Sequence, residues 1–398
     1  MLQGKRWATP VYALIQGLYW ATYCLMVGFA SVFLLDRGFT NGQIGLILGL
    51  SYLFSAILQP TVGAFLSRRG IRLNRGIACM YAPVVVIALA VRLLPLSRAP
   101  LAVMITAVFT LQSMLQPSVN ALSQSMSREG DSVNFGVARG VGSAAYALTS
   151  FAVGRLLTRF APGLLPVLYG STVALMIVVL LTLKTDSASN VRSAVDARQS
   201  SYADMLREHR HMAPFLAGVG CMFLAYSFID CFLLQIITSK GGNSANLGTA
   251  ITLSAMTELP AMLIFSHFSR KGKGLTLFMG SMWFWLLKDV LTLLAPTPQA
   301  LYGVQLLNFA ACAIYVPGMM DYMRLTLPSW QLLRGVTLAG TATTLGSLVA
   351  TIVGGAMIDA IGMTGALTLV QLFAAAGAVL VTRALVKARR EIAQRAAE

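Results

Sequence analysis

The chain has 398 residues, 57% of them hydrophobic and only 11% charged, with a formal net charge of +16. A soluble domain carries roughly 25% charged residues, so this chain cannot cover a water-facing surface, and its positive charge is scattered over short loops instead of forming a nucleic-acid-binding face. Apolar stretches long enough to cross a hydrocarbon core about 30 Å thick recur from end to end, and in lipid such runs satisfy their backbone as helices, which excludes a porin-type barrel.

In chain order, hydropathy predicts twelve spans near 9–35, 42–66, 75–95, 99–123, 135–158, 162–183, 212–237, 245–267, 275–295, 299–321, 335–358 and 363–385: an all-α polytopic membrane protein. Lys5 and Arg6 precede an apolar run of full spanning length with no small-residue cleavage pattern, so the first helix is expected to remain. The organisation expected is a six-helix bundle over 1–183, a cytoplasmic linker over 184–211, and a second bundle over 212–398 ending in a basic tail. Tyr202 to Arg210 within the linker predicts a short amphipathic helix on the membrane surface. Counted loop by loop, 22 Lys and Arg fall on one side and six on the other, among them Arg37, Arg98 and Lys240. That imbalance predicts an inner (cytoplasmic) membrane protein with both termini in the cytoplasm.

The two halves echo each other. Leu66-Ser67-Arg68-Arg69-Gly70 after the second span matches Phe268-Ser269-Arg270-Lys271-Gly272 after the eighth. Arg139-Gly140-Val141 opens the fifth span as Arg334-Gly335-Val336 opens the eleventh, and Val153-Gly154 pairs with Val353-Gly354. Parallel repeats of this kind are built into transporters that rock two halves about a midplane site.

Three stretches carry a resemblance to a family: Phe33 to Gly63, with its Gly-Phe-Thr-Asn-Gly-Gln-Ile-Gly turn; Ser118 to Tyr146; and Ala255 to Gly272. The chain resembles the major facilitator superfamily, and within it the lactose permease-like branch of oligosaccharide and nucleoside proton symporters. The resemblance implies two pseudo-symmetric six-helix halves and a substrate site that includes Arg139, an acid in the eighth span and, at Tyr146, an aromatic that stacks on a sugar ring. The chain departs from the family in three places. Ser67 stands where an aspartate is usual; Asn120 replaces the acid expected to pair with the arginine; and the coupling histidine and glutamate of the tenth span are missing, with Asn308 near the histidine's place.

Ionisable groups inside a span cost on the order of 2.5–3.5 kcal/mol even on the lenient insertion scale, so each is a functional candidate. Glu258 lies halfway along the eighth span, just before Pro260, which loosens the helix ladder. Because burial penalises the charged carboxylate, and a carboxylate also binds hydroxyls, Glu258 suits both proton coupling and substrate binding. Arg139 either presents its guanidinium fork to a substrate or snorkels to the headgroups. Lys288 and Asp289 point about 100° apart on the ninth span, so Lys288 is expected to bridge to Asp230 or Glu258 on a neighbouring helix. Asp230, Lys288 and Asp289 join Glu258 as coupling candidates, and Asp321 is expected to pair with Arg324 one turn away. Tyr19, Trp20 and Tyr23, with Gln16, place polar-tipped aromatics at helical spacing in the first span, as a cavity wall would.

Cys24, Cys79, Cys221, Cys231 and Cys312 are scattered without metal-ligand spacing. His209, His211 and His267 lie in or beside loops, and no nucleotide-binding loop or nucleophile–base set occurs. The chain therefore reads as a secondary transporter with no cofactor and no obligatory protein partner, not an enzyme. It is expected to move a small polar solute (sugar, oligosaccharide or nucleoside) with a proton by alternating access; uniport and proton-driven efflux of drugs or metabolites are the alternatives.

Overall fold

The computed structural model describes residues 8–126, 133–183 and 202–397. The expected linker lies outside the described residues as far as position 201, as do Lys5, Arg6 and Arg128.

Ten helices among the described residues are long and apolar enough to cross a membrane. One of them, Trp330–Ile392, is two segments joined at Gly362, whose φ of 73° breaks the helix. Phe135–Leu156, a 22-residue helix with Arg139 near its start and Arg155 near its end, takes the place of the fifth span. With those two adjustments the segments correspond one for one to the twelve expected.

Backbone geometry repeats the duplication that the loop motifs suggested. The first span runs as an α-helix over Ala8–Tyr23, passes through a π-helical turn at Cys24–Gly28, breaks at Phe29 (φ −115°, ψ 13°) and resumes over Ala30–Asp36. The seventh runs over Met212–Cys231, breaks at Phe232 (φ −108°, ψ 21°) and resumes over Leu233–Ser239. The two breaks are 203 residues apart. The left-handed glycines Gly38 and Gly241 that follow them keep the same spacing, and Gly70 and Gly272, which end the turns after the second and eighth spans, are 202 apart. A side chain at these four positions would meet its own carbonyl, so glycine is the residue that ends both helices of each pair.

Two compact units result, one of Met1–Val195 with Asn243–Ala255 and the other of Asp196–Gly242 with Met256–Glu398. The first part of the eighth span thus groups with the first bundle, a division that the simple halves at 183 and 212 did not anticipate. Its reason is a glycine crossing. A Cβ on Gly154 of the fifth span would come within 2.8 Å of Gly248 Cα, and alongside it the hydroxyls of Ser150 and Thr252 lie 2.8 Å apart. In the first unit the first span also packs on the fifth, the second on the fourth and the third on the sixth.

In the second unit the seventh span packs along the long last helix. Gly218 and Gly377 let the backbones meet: a Cβ on Gly218 would lie 2.9 Å from Val381 N, the close approach that small residues permit in lipid. Helix ends are closed by side chains. Asn74 donates to the carbonyls of Leu180 and Leu183 at 2.9 Å each, closing the sixth span. Lys240 donates to Leu293 O at 3.2 Å and to Ala295 O, capping the ninth; its partial burial there draws the ammonium pKa below the usual lysine range.

The helix expected near 202–210 forms over Tyr202–Glu208, but Met205 is fully buried in the core of the second unit, so the helix docks on protein. His209 Nε2 lies 2.8 Å from Gln331 Oε1 and His211 Nδ1 lies 2.6 Å from the Tyr322 hydroxyl, tying this segment to the tenth and eleventh spans. Asp321 accepts from Ser269, so the turn after the eighth span holds it where a pair with Arg324 was expected.

Candidate functional site

In the first unit, one glutamine organises the polar residues of the first span. Gln16 is fully buried; its Nε2 donates to Tyr12 Oη at 2.6 Å and to Asn120 Oδ1 at 3.1 Å, and its Oε1 accepts from Trp20 Nε1 at 3.1 Å. Both amide hydrogens and one lone pair of the amide oxygen are thereby engaged, which fixes which way round the amide lies. Trp20, held by that bond, lies under Arg139, whose Cζ is 4.0 Å from its ring centroid, a cation–π contact. The guanidinium donates to Ser143 Oγ at 2.7 Å, one turn further into the span, so it turns inward along the helix. Tyr23 and Tyr146 complete the group, with ring centroids 5.4 and 6.1 Å from Trp20. A groove of about 760 Å³, lined by Gln116, Pro117, Asn120, Ser123 and Phe135 among others, opens beside Asn120.

Tyr19 belongs elsewhere, which corrects its expected place on a cavity wall. It is 1% exposed, and its hydroxyl donates to Gln112 O at 3.2 Å. Gln112 in turn accepts from Tyr169 at 3.0 Å and Tyr81 at 3.3 Å and donates to Thr22 at 3.1 Å, forming a closed core network beside the π-helical turn.

The second unit gathers the ionisable groups. Lys288 and Asp289 are 5% and 2% exposed. Lys288 acts electrostatically on both Asp230 and Asp289, and those three groups together with Glu258 all act on the thiol of Cys312. The hydrogen bond of Lys288 goes to Asn308 Oδ1 at 3.2 Å, an amide where a carboxylate bridge was expected. Asp230 keeps an exposed side chain although it is surrounded by protein, so it borders open space and not the solid core. Glu258 is half-buried, within a helix that continues through Pro260.

This cluster sits against a discontinuous helix. The tenth span is α-helical over Pro298–Leu306, tightens to 3₁₀ turns at Leu307–Phe309 and Cys312–Ile314 with Ala311 out of helical geometry (ψ −111°) between them, and resumes over Tyr315–Thr326. Both Asn308 and Cys312 lie in that interruption. Interrupted helices of this kind expose backbone dipoles to a bound ion or solute.

Two features escaped the sequence reading. Phe223 and Tyr226 stand 203 residues after Trp20 and Tyr23, and their rings are 5.7 Å apart, against 5.4 Å for the first pair. The loop repeat of 202 residues falls one position short of them; the 203-residue spacing of the two helix breaks finds them. They pack with Trp285 and Tyr315 just before the ionisable cluster. The other is Gln371 of the twelfth span, whose Nε2 donates to Asp289 O at 3.2 Å.

Among the described residues, no group of three or more His, Cys, Asp or Glu could hold a metal. Two bundles of related backbone geometry, each with a polar cluster set in its spans, define a membrane transporter of the major facilitator fold. The chain belongs to the MFS_1 like family, whose model matches residues 12–368. Among solved structures it is similar to the nucleoside transporter NupG in a mutant form, at 15% identity and a TM-score of 0.78, covering 96% of this chain and 99% of that one. It is also similar to the peptide transporter POT in a mutant form (12%, TM-score 0.72, covering 96% and 94%) and to an inward-facing bacterial homologue of the human lysosomal transporter Spinster (12%, TM-score 0.64, covering 99% and 95%). A search of the curated proteins finds no significant match.

Proposed function

We propose that the protein takes up a small polar solute, a nucleoside before a sugar or oligosaccharide, together with a proton, by alternating access in the cytoplasmic membrane with both termini inside. The observation that carries this reading is the unequal polar load of the two units. The first supplies aromatic faces and hydrogen-bond donors: Trp20, Tyr23 and Tyr146 around Arg139, with Asn120 held by Gln16. The second supplies charge that can change: Glu258, Asp230 and Asp289 about Lys288. A stacked guanidinium and flat aromatic rings suit a ribose and a base, and the inward turn of Arg139 towards Ser143 argues against snorkelling. The nucleoside class is favoured by the likeness to NupG. Glu258 is the carboxylate that alternates between proton and substrate, and the positive-inside imbalance sets the orientation.

The test is substrate-induced alkalinisation outside cells expressing the protein, with uridine, adenosine, lactose and glucose as the panel. A signal with a nucleoside, with Glu258→Gln abolishing accumulation but keeping exchange, is the expected result. Accumulation unchanged in Glu258→Gln removes its coupling role. Silence across the panel in folded protein, with energy-dependent extrusion of a cationic dye, replaces uptake by efflux.

A further inference from the structure

Two buried acceptor atoms in the second unit lack a donor, and they belong to neighbouring side chains. Asp289 is 2% exposed, and its Oδ2 has no hydrogen-bond partner among the described residues; the same holds for Oε1 of Gln371. The two residues are tied together, because Gln371 Nε2 donates to the main-chain oxygen of Asp289 at 3.2 Å. That bond fixes which end of the amide is which. Turning the amide over would set two oxygens against each other, so Oε1 must stay beside Asp289 as an acceptor.

An orphaned buried acceptor costs about 1–3 kcal/mol, and more when it is charged. Two such acceptors on residues joined by a hydrogen bond are atoms that a positively charged or proton-donating group would complete. Charge points the same way. The titratable groups of the cluster are Asp230 from the seventh span, Glu258 from the eighth, Lys288 on the same helix as Asp289, and Cys312 from the interrupted tenth. Three carboxyls face a single ammonium, which leaves an excess of negative charge that low-dielectric surroundings penalise.

We propose that Asp289 and Gln371 form a buried monovalent-cation site whose occupant is a proton, carried on Asp289 Oδ2 and shared, directly or through one water, with Gln371 Oε1. The site rests on reading the chain as a cation-coupled transporter and adds to it a residue of the twelfth span. The donor set favours the proton over a metal cation, since two acceptor oxygens suffice to hold one proton whereas a hard metal ion needs a larger shell of oxygen ligands. When the proton leaves, Lys288 compensates the carboxylate that remains. Gln371 is a positioning residue: it ties the twelfth span to the proton-bearing group, so the state of Asp289 is felt on a second helix.

Infrared difference spectroscopy of the purified protein, acid minus alkaline, without any transported solute, tests this. Wild type should show a protonated-carboxyl stretch that titrates. Asp289→Asn should lose one component of it, Glu258→Gln should retain that component whatever it removes of its own, and Gln371→Leu should move that component to higher wavenumber through loss of the acceptor. Should Asp289→Asn not fold, the shift in Gln371→Leu carries the test with Asp289 in place. An unchanged spectrum in Asp289→Asn, loss in Glu258→Gln of the same component that Asp289→Asn removes, or an unshifted component in Gln371→Leu overturns the proposal. So does bleaching of the band at constant pH when sodium chloride replaces choline chloride, which would make sodium the occupant. Because no solute is present, a silent uptake panel defeats the transport reading without touching this result, and a failed spectrum leaves the uptake result standing.

Discussion

Replacing Lys288 by methionine keeps the length and apolar stem of the side chain and removes only its charge and donors. Lys288 is 5% exposed and bonded to Asn308, and it is the cation that Asp289, 2% exposed, and Asp230 share. Deleting one partner of a buried charge cluster costs about 3–5 kcal/mol, because the charges left behind are uncompensated. Lys288→Met should therefore unfold well below wild type in detergent. If that loss comes from charge, adding Asp289→Asn should return part of it, with a coupling of about 1–3 kcal/mol. Asp230→Asn should return less, at most about 1 kcal/mol, because the Asp230 side chain is the more exposed of the two acids and can relax towards the open space it borders. The pH dependence has a definite sign: coupling to Asp289 requires its ionised form, so it should be largest in alkaline buffer and fade on acidification. The assay is thermal unfolding of the single and double mutants, followed by intrinsic tryptophan fluorescence at two pH values. Penalties that simply add at alkaline pH would refute the compensation argument, and equal rescue by the two acids would refute the ranking by burial.

Three further outcomes are expected. Arg139→Lys should keep the fold but weaken nucleoside binding at least tenfold, because an ammonium cannot both lie flat on Trp20 and present a fork; binding calorimetry with uridine reads this, and unchanged affinity returns Arg139 to a snorkelling role. Gly248→Ala should cost about 1–3 kcal/mol in thermal unfolding, because the new methyl meets the backbone of the fifth span, Gly154 Cα at 2.9 Å; a neutral effect means the two helices do not cross as described. Gln112→Leu strips the acceptor from Tyr81 and Tyr169 and the donor from Thr22, and should cost roughly 1–3 kcal/mol for each group left unsatisfied, whereas Thr22→Val alone should cost far less.

The spans were legible because lipid imposes one rule on every helix, a long apolar run, and the loop motifs gave the duplication. What hydropathy does not encode is which face of a helix meets which neighbour. Tyr19 and Trp20 are adjacent and chemically alike, yet 100° of rotation sends one into the Gln112 core and the other under Arg139. The interruption of the tenth span was hidden for another reason. Phe309-Ala310-Ala311-Cys312 contains neither glycine nor proline, so no breaker marks a discontinuity whose surroundings are the charged cluster. Gln371 is a single amide in an apolar span with no motif around it; its meaning comes from a contact 82 residues away along the chain.

What the duplication preserved, and what it did not, follows from cost. The breaks at Phe29 and Phe232, the turns at Gly38 and Gly241, and the ring pairs Trp20–Tyr23 and Phe223–Tyr226 recur at one spacing. Shape and apolar surface can be copied into both bundles without penalty. Charge cannot, since each buried ion needs a partner that stays with it. Lys288 shares a helix with Asp289 and a unit with Asp230 and Glu258, so compensation survives any rearrangement that leaves that unit intact. Arg139, in the polar group of the first unit, lies over a π face and donates to a hydroxyl of that same unit. The replacement of an expected acid by Asn120 then has a physical consequence: an amide brings hydrogen-bonding capacity without charge to the aromatic group around Arg139, and an uncharged ring-bearing solute is the ligand that group should prefer over a cation.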